Sequence, residues 1–541
     1  MIKRIDKFKN HSAENIQNHK DARDLVVGAL IYFLGIVAKS SKIIFIIVAT
    51  RFYGTSALGL YFLAWSIIDI ASKFGLWGTD RSLIRDIARY NVDRSEPTKD
   101  RIFGIIRFNI SVSFGASVLV AGILLIISPN IAEFIFHDAN LTIPTRLMAV
   151  ALPFVVLTQG FIATTKALRL MQYEAFIRHG LEPLILLIGT LTLIPLNLGA
   201  TGLVMAHVFA SFGAACSAFF VVCRKYRYLG WRKQPLAREI KKETIRYTSP
   251  IAAMDSLNLL AARVDIMLVG ALLNSTSVGL YGIAVEIISV IKRVRMGFEP
   301  IFAPIVSELF YHKQQERLQR NYGLVTRWIT AGSLLPVGAI VLFPRQILGF
   351  FKIESVEAVS ALIVLALAHG LFGIFSAAES LLVMTGKTLL NTCLAGVVLV
   401  VNCAVALFLI PKLGLVGAAF GTLAAFALVS FARIYHVYRK LQLIPFSYSL
   451  FWPITTASIT MGLFYLIRNW LTVDSTIETI YVLIGMLIFY LGIYFWGANE
   501  PEEMDLINKI KNRLKTKRAF LWMTSGCKVI FMVNRFKSIL K

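Results

Sequence analysis

The chain has 541 residues, of which 57% are hydrophobic and only 16% charged, and its mean hydropathy is +0.68. With 38 phenylalanines against 31 acidic residues, it carries more apolar surface than a water-soluble core can hide. That excludes a cytosolic enzyme, a secreted disulfide scaffold and a disordered tail, and leaves channels, transporters, membrane-embedded enzymes and receptors.

Residues 1–24 are polar and mixed in charge, so no cleavable signal peptide is expected there. A helix needs about 20 apolar residues to cross roughly 30 Å of hydrocarbon, and fourteen such stretches follow. Six run from Leu25 to Thr50, Ala57 to Trp77, Phe103 to Ile127, Leu147 to Thr165, Gly180 to Leu198 and Gly202 to Cys223. Beyond a basic linker at 224–247, six more run from Pro250 to Leu273, Val278 to Phe298, Leu324 to Phe343, Ala358 to Ala378, Leu389 to Ile410 and Leu413 to Ala432. Leu450 to Ile467 and Ile477 to Trp496 form an extra pair before the basic tail 498–541. The expected organisation is thus a first lobe at 25–223, a second at 248–434 and two added helices within 444–497. Asp80 to Tyr90, Ile305 to Tyr322 and Ala519 to Leu540 are amphipathic and predict helices lying in the membrane interface.

Alternate connecting segments hold 41 Lys and Arg on the side shared with the N-terminus and 6 on the other. The positive-inside rule then puts both termini in the cytoplasm. Most of the net charge of +25 is therefore a topology signal, and nucleic acid is not expected as a partner.

Three places repeat at nearly constant offset. Gly59-Leu60-Tyr61-x-x-Ala64 returns as Gly279-Leu280-Tyr281-x-x-Ala284. Ala163, Leu168 and Met171 align with Ala377 and the stretch from Leu381 to Met384. Leu193-Ile194-Pro195-x-x-Leu198-Gly199-x-x-Gly202 returns as Leu409-Ile410-Pro411-x-Leu413-Gly414-x-x-Gly417. Six spans have been duplicated, and because six is even the copies are parallel. The expected fold is an all-α polytopic bundle in which two six-helix lobes enclose a central cavity.

Ionisable groups deep in a span are costly and normally face a wet cavity or a partner. Lys39 and Lys42 share a face of the first span, Asp69 lies in the second, Asp255, Arg263 and Asp265 in the seventh, and Glu286 in the eighth. These are the duplicated partner spans. Lys39, Lys42 and Arg263 are candidate ligands for an anionic cargo, or partners of the carboxylates. Asp69, Asp255, Asp265 and Glu286 are candidates for proton or cation coupling, or for holding the basic groups in place.

Other chemistries find little support. Gly386-Lys387-Thr388 lacks the earlier glycine of a phosphate-binding loop, since Leu381 stands there. There is no H-E-x-x-H or G-x-S-x-G, and the five cysteines show no C-x-x-C spacing. No metal site or catalytic residue is expected.

The run Arg263-Val-Asp265-x-x-Leu268-Val-Gly270, followed by Val278-Gly279-Leu280-Tyr281, Met384-Thr385-Gly386-Lys387 and Leu409-Ile410-Pro411-x-Leu413-Gly414-x-x-Gly417-Ala418-Ala419, resembles the polysaccharide (O-antigen/exopolysaccharide) flippase family. That family belongs to the multidrug/oligosaccharidyl-lipid/polysaccharide (MOP) exporter superfamily. The resemblance covers about residues 22–434 and is clearest in the second half. It implies a bacterial inner-membrane flippase that moves undecaprenyl-diphosphate-linked oligosaccharide for O-antigen, capsule or exopolysaccharide assembly. Lys39, Lys42 and Arg263 are then candidate contacts of the diphosphate. No cofactor is implied beyond H+ or Na+ coupling. Partners are membrane lipids and other polysaccharide-assembly proteins, and a monomer is expected. Two alternatives are a drug or cation exporter of the same superfamily, which predicts a cleft dominated by carboxylates, and a membrane-embedded glycan polymerase or transferase, which predicts a catalytic loop outside the cytoplasm.

Overall fold

The computed structural model describes residues 41–90, 96–227, 237–446, 450–470 and 476–496. Among them every regular element is a helix, as lipid demands, because a spanning chain must satisfy its backbone donors and acceptors internally.

The first helical run, α1 (Ser41–Leu76), folds back on itself. The rings of Phe45 and Tyr61 are 5.5 Å apart, whereas a straight helix would separate residues so placed by about 24 Å. The reversal is at Gly54, whose φ is +85°, a backbone state open to glycine and strained for other residues. Two arms result, 41–53 and 55–76.

The first lobe continues with α2 (Thr79–Tyr90), α3 (Glu96–Asn130), α4 (Thr142–Ala167), α5 (Gln172–Phe176), α6 (Glu182–Leu193) and α7 (Ala200–Lys225). In α2, Leu83 and Ile87 are buried while Arg81 and Arg89 are exposed. The second lobe holds α8 (Arg238–Leu272), α9 (Ser275–Tyr311), α10 (Gln315–Leu342), α11 (Pro344–Gly349), α12 (Val356–Ile374), α13 (Ala377–Met384), α14 (Thr388–Leu413) and α15 (Leu415–Leu441). The appended pair is α16 (Phe451–Trp470) and α17 (Thr476–Trp496).

Ten of the described helices are long and apolar enough to cross a membrane by length and composition. The sequence led us to expect fourteen spans. The difference lies in α8, α9 and α16, which are outside that ten, and in the two arms of α1, which make up a single one of the ten.

The helix expected over Ile305 to Tyr322 does not exist as a unit. Instead α9 runs on to Tyr311, the chain turns at Lys313 with φ +55°, and α10 begins at Gln315. Extending a formed helix adds a hydrogen bond for each residue fixed, so α9 passes beyond its apolar stretch until a residue takes the left-handed state.

The duplication is visible in the backbone. Gly199 has φ 54° and ψ −135° ahead of α7, and Gly414 has φ 58° and ψ −132° ahead of α15. This region of backbone space is essentially reserved for glycine.

One apolar cluster, including Phe45, Tyr61, Ala64, Tyr281 and Ile288, runs through both lobes where α1 meets α8 and α9. A second, around Leu83, Ile162 and Ala214, belongs to the first lobe, and a third, around Tyr322, Leu381 and Val429, to the second. The appended helices dock on α10. Phe464 and Met486 pack with Leu342 and Phe343, and the Tyr490 hydroxyl donates to the Ala331 carbonyl at 2.8 Å.

Candidate functional site

The site is built where the two lobes meet. At the end where α1 reverses, Gly59 and Gly279 let two helices touch backbone to backbone. A Cβ on Gly59 would collide with the carbonyl oxygen of Ser275, and one on Gly279 with that of Thr55. Each glycine thus faces the carbonyl four residues before the other, so the contact has the two-fold symmetry of the repeat. The hydroxyls of Ser56 and Ser275 lie 3.0 Å apart beside it.

Deeper in the bundle two ion pairs cross between the lobes. Lys42 Nζ, on the first arm of α1, donates to Glu286 Oε1 on α9 at 2.5 Å. Arg263 on α8 donates through Nη2 and Nε to Asp69 Oδ2, on the second arm of α1, at 2.8 and 3.1 Å. The arrangement is reciprocal, because the cation of each repeat's first span holds the anion of the other repeat's second span. The four side chains are 18 to 40% exposed, so they line a boundary rather than a sealed core. The second arm of α1 is itself held against α7, where the Tyr61 hydroxyl lies 2.9 Å from His207 Nδ1 and the Trp65 ring 4.5 Å from the imidazole.

At the opposite end α2 clasps the start of α8. Arg81 reaches Asp255 at 3.9 Å, and Arg85 and Arg89 reach Glu243 at 3.7 and 3.4 Å. The Arg85 guanidinium lies 3.7 Å over the Tyr247 ring, and Trp77 Nε1 donates to Ser249 Oγ at 3.3 Å.

The structure therefore brings Lys42, Glu286, Asp69 and Arg263 together at the boundary and separates the other candidates from them. Asp255 belongs to the clasp. Asp265 is buried, accepting from the Tyr281 hydroxyl at 3.2 Å and from the Ile266 N–H at 2.8 Å. Lys39 and the segment Ala519 to Leu540 lie outside the described residues.

A chamber of about 370 Å³ lies inside the second lobe, between α8, α9, α12, α13, α14 and α15. Its charged lining is Asp265, Lys292, Arg295, Glu379 and Arg433. From sequence alone, Asp265 is a site candidate, Glu379 reads as a local pair in or at the end of a span, and Arg433 has no assigned role. Arg433 follows the last apolar stretch and reads as the first cation of a loop, yet α15 continues to Leu441 and leaves it 4% exposed. Lys292 and Arg295, three apart near the end of a span, read equally as a topological anchor or a substrate contact. Their shared helical face was the one available signal.

A sequence profile for a family described as polysaccharide biosynthesis protein matches residues 48–349, more than half of the chain. No curated protein matches the chain by sequence. Among solved structures, the lipid II flippase MurJ in an inward closed conformation matches with a TM-score of 0.69 at 13% identity, over 86% of this chain and 98% of that one. An inward-facing multidrug resistance MATE transporter of the MOP superfamily matches with a TM-score of 0.59 at 16% identity, over 76% and 94%. The Vibrio cholerae MATE transporter VcmN gives 0.56 at 13%, over 80% and 98%. At such identities the likeness speaks to fold, and the fold is that of MOP-type transporters and flippases. The chain belongs to the polysaccharide biosynthesis protein family that the profile defines, built on the MOP superfamily fold.

Proposed function

We propose that this protein is a flippase that carries an undecaprenyl-diphosphate-linked oligosaccharide from the cytoplasmic to the periplasmic leaflet of the bacterial inner membrane, for O-antigen, capsule or exopolysaccharide assembly. The observation that carries this reading is the reciprocal pair of ion bridges between the lobes. Lys42 and Arg263 both stand at the boundary, and each is held by one carboxylate of the other lobe.

A diphosphate offers several anionic oxygens, and charge-assisted bonds to them compete directly with bonds to carboxylates. Arrival of the head group exchanges Glu286 and Asp69 for phosphate oxygens. The ties between the lobes are lost at the moment the cargo is gripped, and the lobes rock about their remaining contact. The lipid tail stays in the bilayer throughout. Released carboxylates are the natural place for H+ or Na+ to couple the return step, since an unpaired anion at this depth is costly.

The test is Lys42→Ala and Arg263→Ala, scored as surface glycan at matched amounts of protein in the membrane. Both variants are expected to lose export. Wild-type export by both overturns the assignment.

A further inference from the structure

The chamber in the second lobe is a separate feature from the ion bridges, and it is unbalanced in charge. Three cations, Lys292, Arg295 and Arg433, face two carboxylates, Asp265 and Glu379. Asp265 is already occupied by Tyr281 and its own helix. Glu379 offers one oxygen, Oε2, to both guanidiniums, at 3.0 Å from Arg295 and 3.1 Å from Arg433. Lys292 has no carboxylate within ion-pair distance among the described residues. Lys292 feels Asp265 and Glu286 only at longer range, so the lining carries one more cation than carboxylate at a depth where charge is expensive.

Three residues of the lining also carry polar atoms without a hydrogen-bond partner. Arg433 is 4% exposed and its Nε has no hydrogen-bond partner, and Asn402 is 2% exposed with Oδ1 unpartnered. The buried Oδ1 of Asn391 is also unpartnered. Buried groups of this kind are normally paired; these atoms have no surface open to water, so they meet a ligand only when their side chains turn toward the chamber. Phe372 and Phe426, stacked at 4.3 Å, form an apolar wall. The volume falls in the range of about 300–1,000 Å³ typical of small-molecule sites.

We propose that this chamber is a glycan subsite that recognises a sugar bearing a carboxylate, so that the cargo contains an acidic sugar. The proposal rests on the flippase reading and deepens it. Guanidinium forks match planar carboxylates, and Arg295 and Arg433 already hold one carboxylate, Glu379, through a single shared oxygen. Amide groups suit sugar hydroxyls, and an aromatic wall suits the C–H face of a ring. The chamber also adjoins the diphosphate candidates. Arg263 and Asp265 are two residues apart on α8, a turn of about 200°, so one faces the lobe boundary while the other faces the chamber. Lys292 follows Glu286 on α9 by roughly 9 Å of helix rise.

The experiment measures thermal stabilisation of the purified protein by methyl β-D-glucuronide, methyl β-D-glucoside and methyl β-D-glucoside 6-phosphate. The glucuronide is expected to stabilise and the glucoside not. Lys292→Gln, at a partly exposed position, is expected to weaken the glucuronide by about tenfold, the loss of one charge-assisted contact. Arg433→Gln should weaken it further where the variant folds. Equal effects of glucuronide and glucoside overturn the proposal, as does glucuronide binding that Lys292→Gln leaves unchanged. Stabilisation by the phosphate sugar alone overturns the carboxylate assignment. Undecaprenyl diphosphate, tested in parallel, reads the other site. If it fails to bind while the glucuronide binds, the flippase reading falls and the chamber assignment stands. If it binds and the glucuronide does not, the chamber assignment falls and the flippase reading stands.

Discussion

At the end of the lobe boundary where α1 reverses, Gly59 and Gly279 bring two backbones into contact, whereas at the opposite end Arg81, Arg85 and Arg89 reach Asp255 and Glu243 through long side chains. The first closure is steric and close-packed, and no ion screens it. The second is built from groups such as Arg89 and Glu243, whose side chains are 62 and 54% exposed, where each pair contributes about 0–1 kcal/mol. Between them lie the ion bridges, whose side chains are 18 to 40% exposed. A boundary so graded has a firm end and a loose one, and the proposed mechanism has rocking start at the loose end.

The sharpest way to break this comparison is at the glycines. Gly59→Leu forces the helices apart at the firm end, because the obstruction is a backbone carbonyl. Export is expected to fall by more than about tenfold, the consequence of losing only ~1.4 kcal/mol. The converse is Ser56→Cys with Ser275→Cys, which oxidation should link across a contact now 3.0 Å wide. Linked protein is expected to stop exporting and to resume on reduction; export that persists in the linked state removes the firm end from the mechanism.

Asp69→Asn comes next. It strips Arg263 of its carboxylate and is expected to lower stability by about 1–3 kcal/mol, read as a drop in melting temperature. Glu286→Gln should cost less, because Lys42 is 40% exposed and water takes over part of its solvation. The reverse order would show that the Lys42 side of the boundary is the drier one.

The smallest effect is expected at the clasp. Glu243→Gln should change stability by under about 1 kcal/mol. Raising salt to about 1 M shortens the Debye length to ~3 Å and should erase that difference, while leaving the Gly59→Leu defect intact. A clasp variant that abolishes export at every salt concentration would invert the gradation.

Much of this could be read from residue order because the physics involved is local. Charge on alternate segments follows the membrane, and the glycines of the repeat recur because a reversal and a backbone crossing admit little else. Gly199 and Gly414, with nearly identical angles, are a direct case. The limits were equally physical. Apolar content shows where a lipid-facing stretch stops and not where its helix ends, and α9 and α15 run on, so Arg433 lies inside α15 and residues 305–322 divide between α9 and α10.

Composition and charge order by themselves determined that the chain lives in lipid, that its halves are copies, and which spans hold the deep charges. Hydrophobic burial and turn geometry act over a few residues, so they leave a periodic trace along the chain. Tertiary structure alone decided that Lys42 holds Glu286 and Arg263 holds Asp69, partners separated by 244 and 194 residues. It also gathered six helices around a chamber with a charge to spare. Electrostatic partnership depends on distance in space, and a one-dimensional order carries no distance between helices that only meet once the lobes have packed.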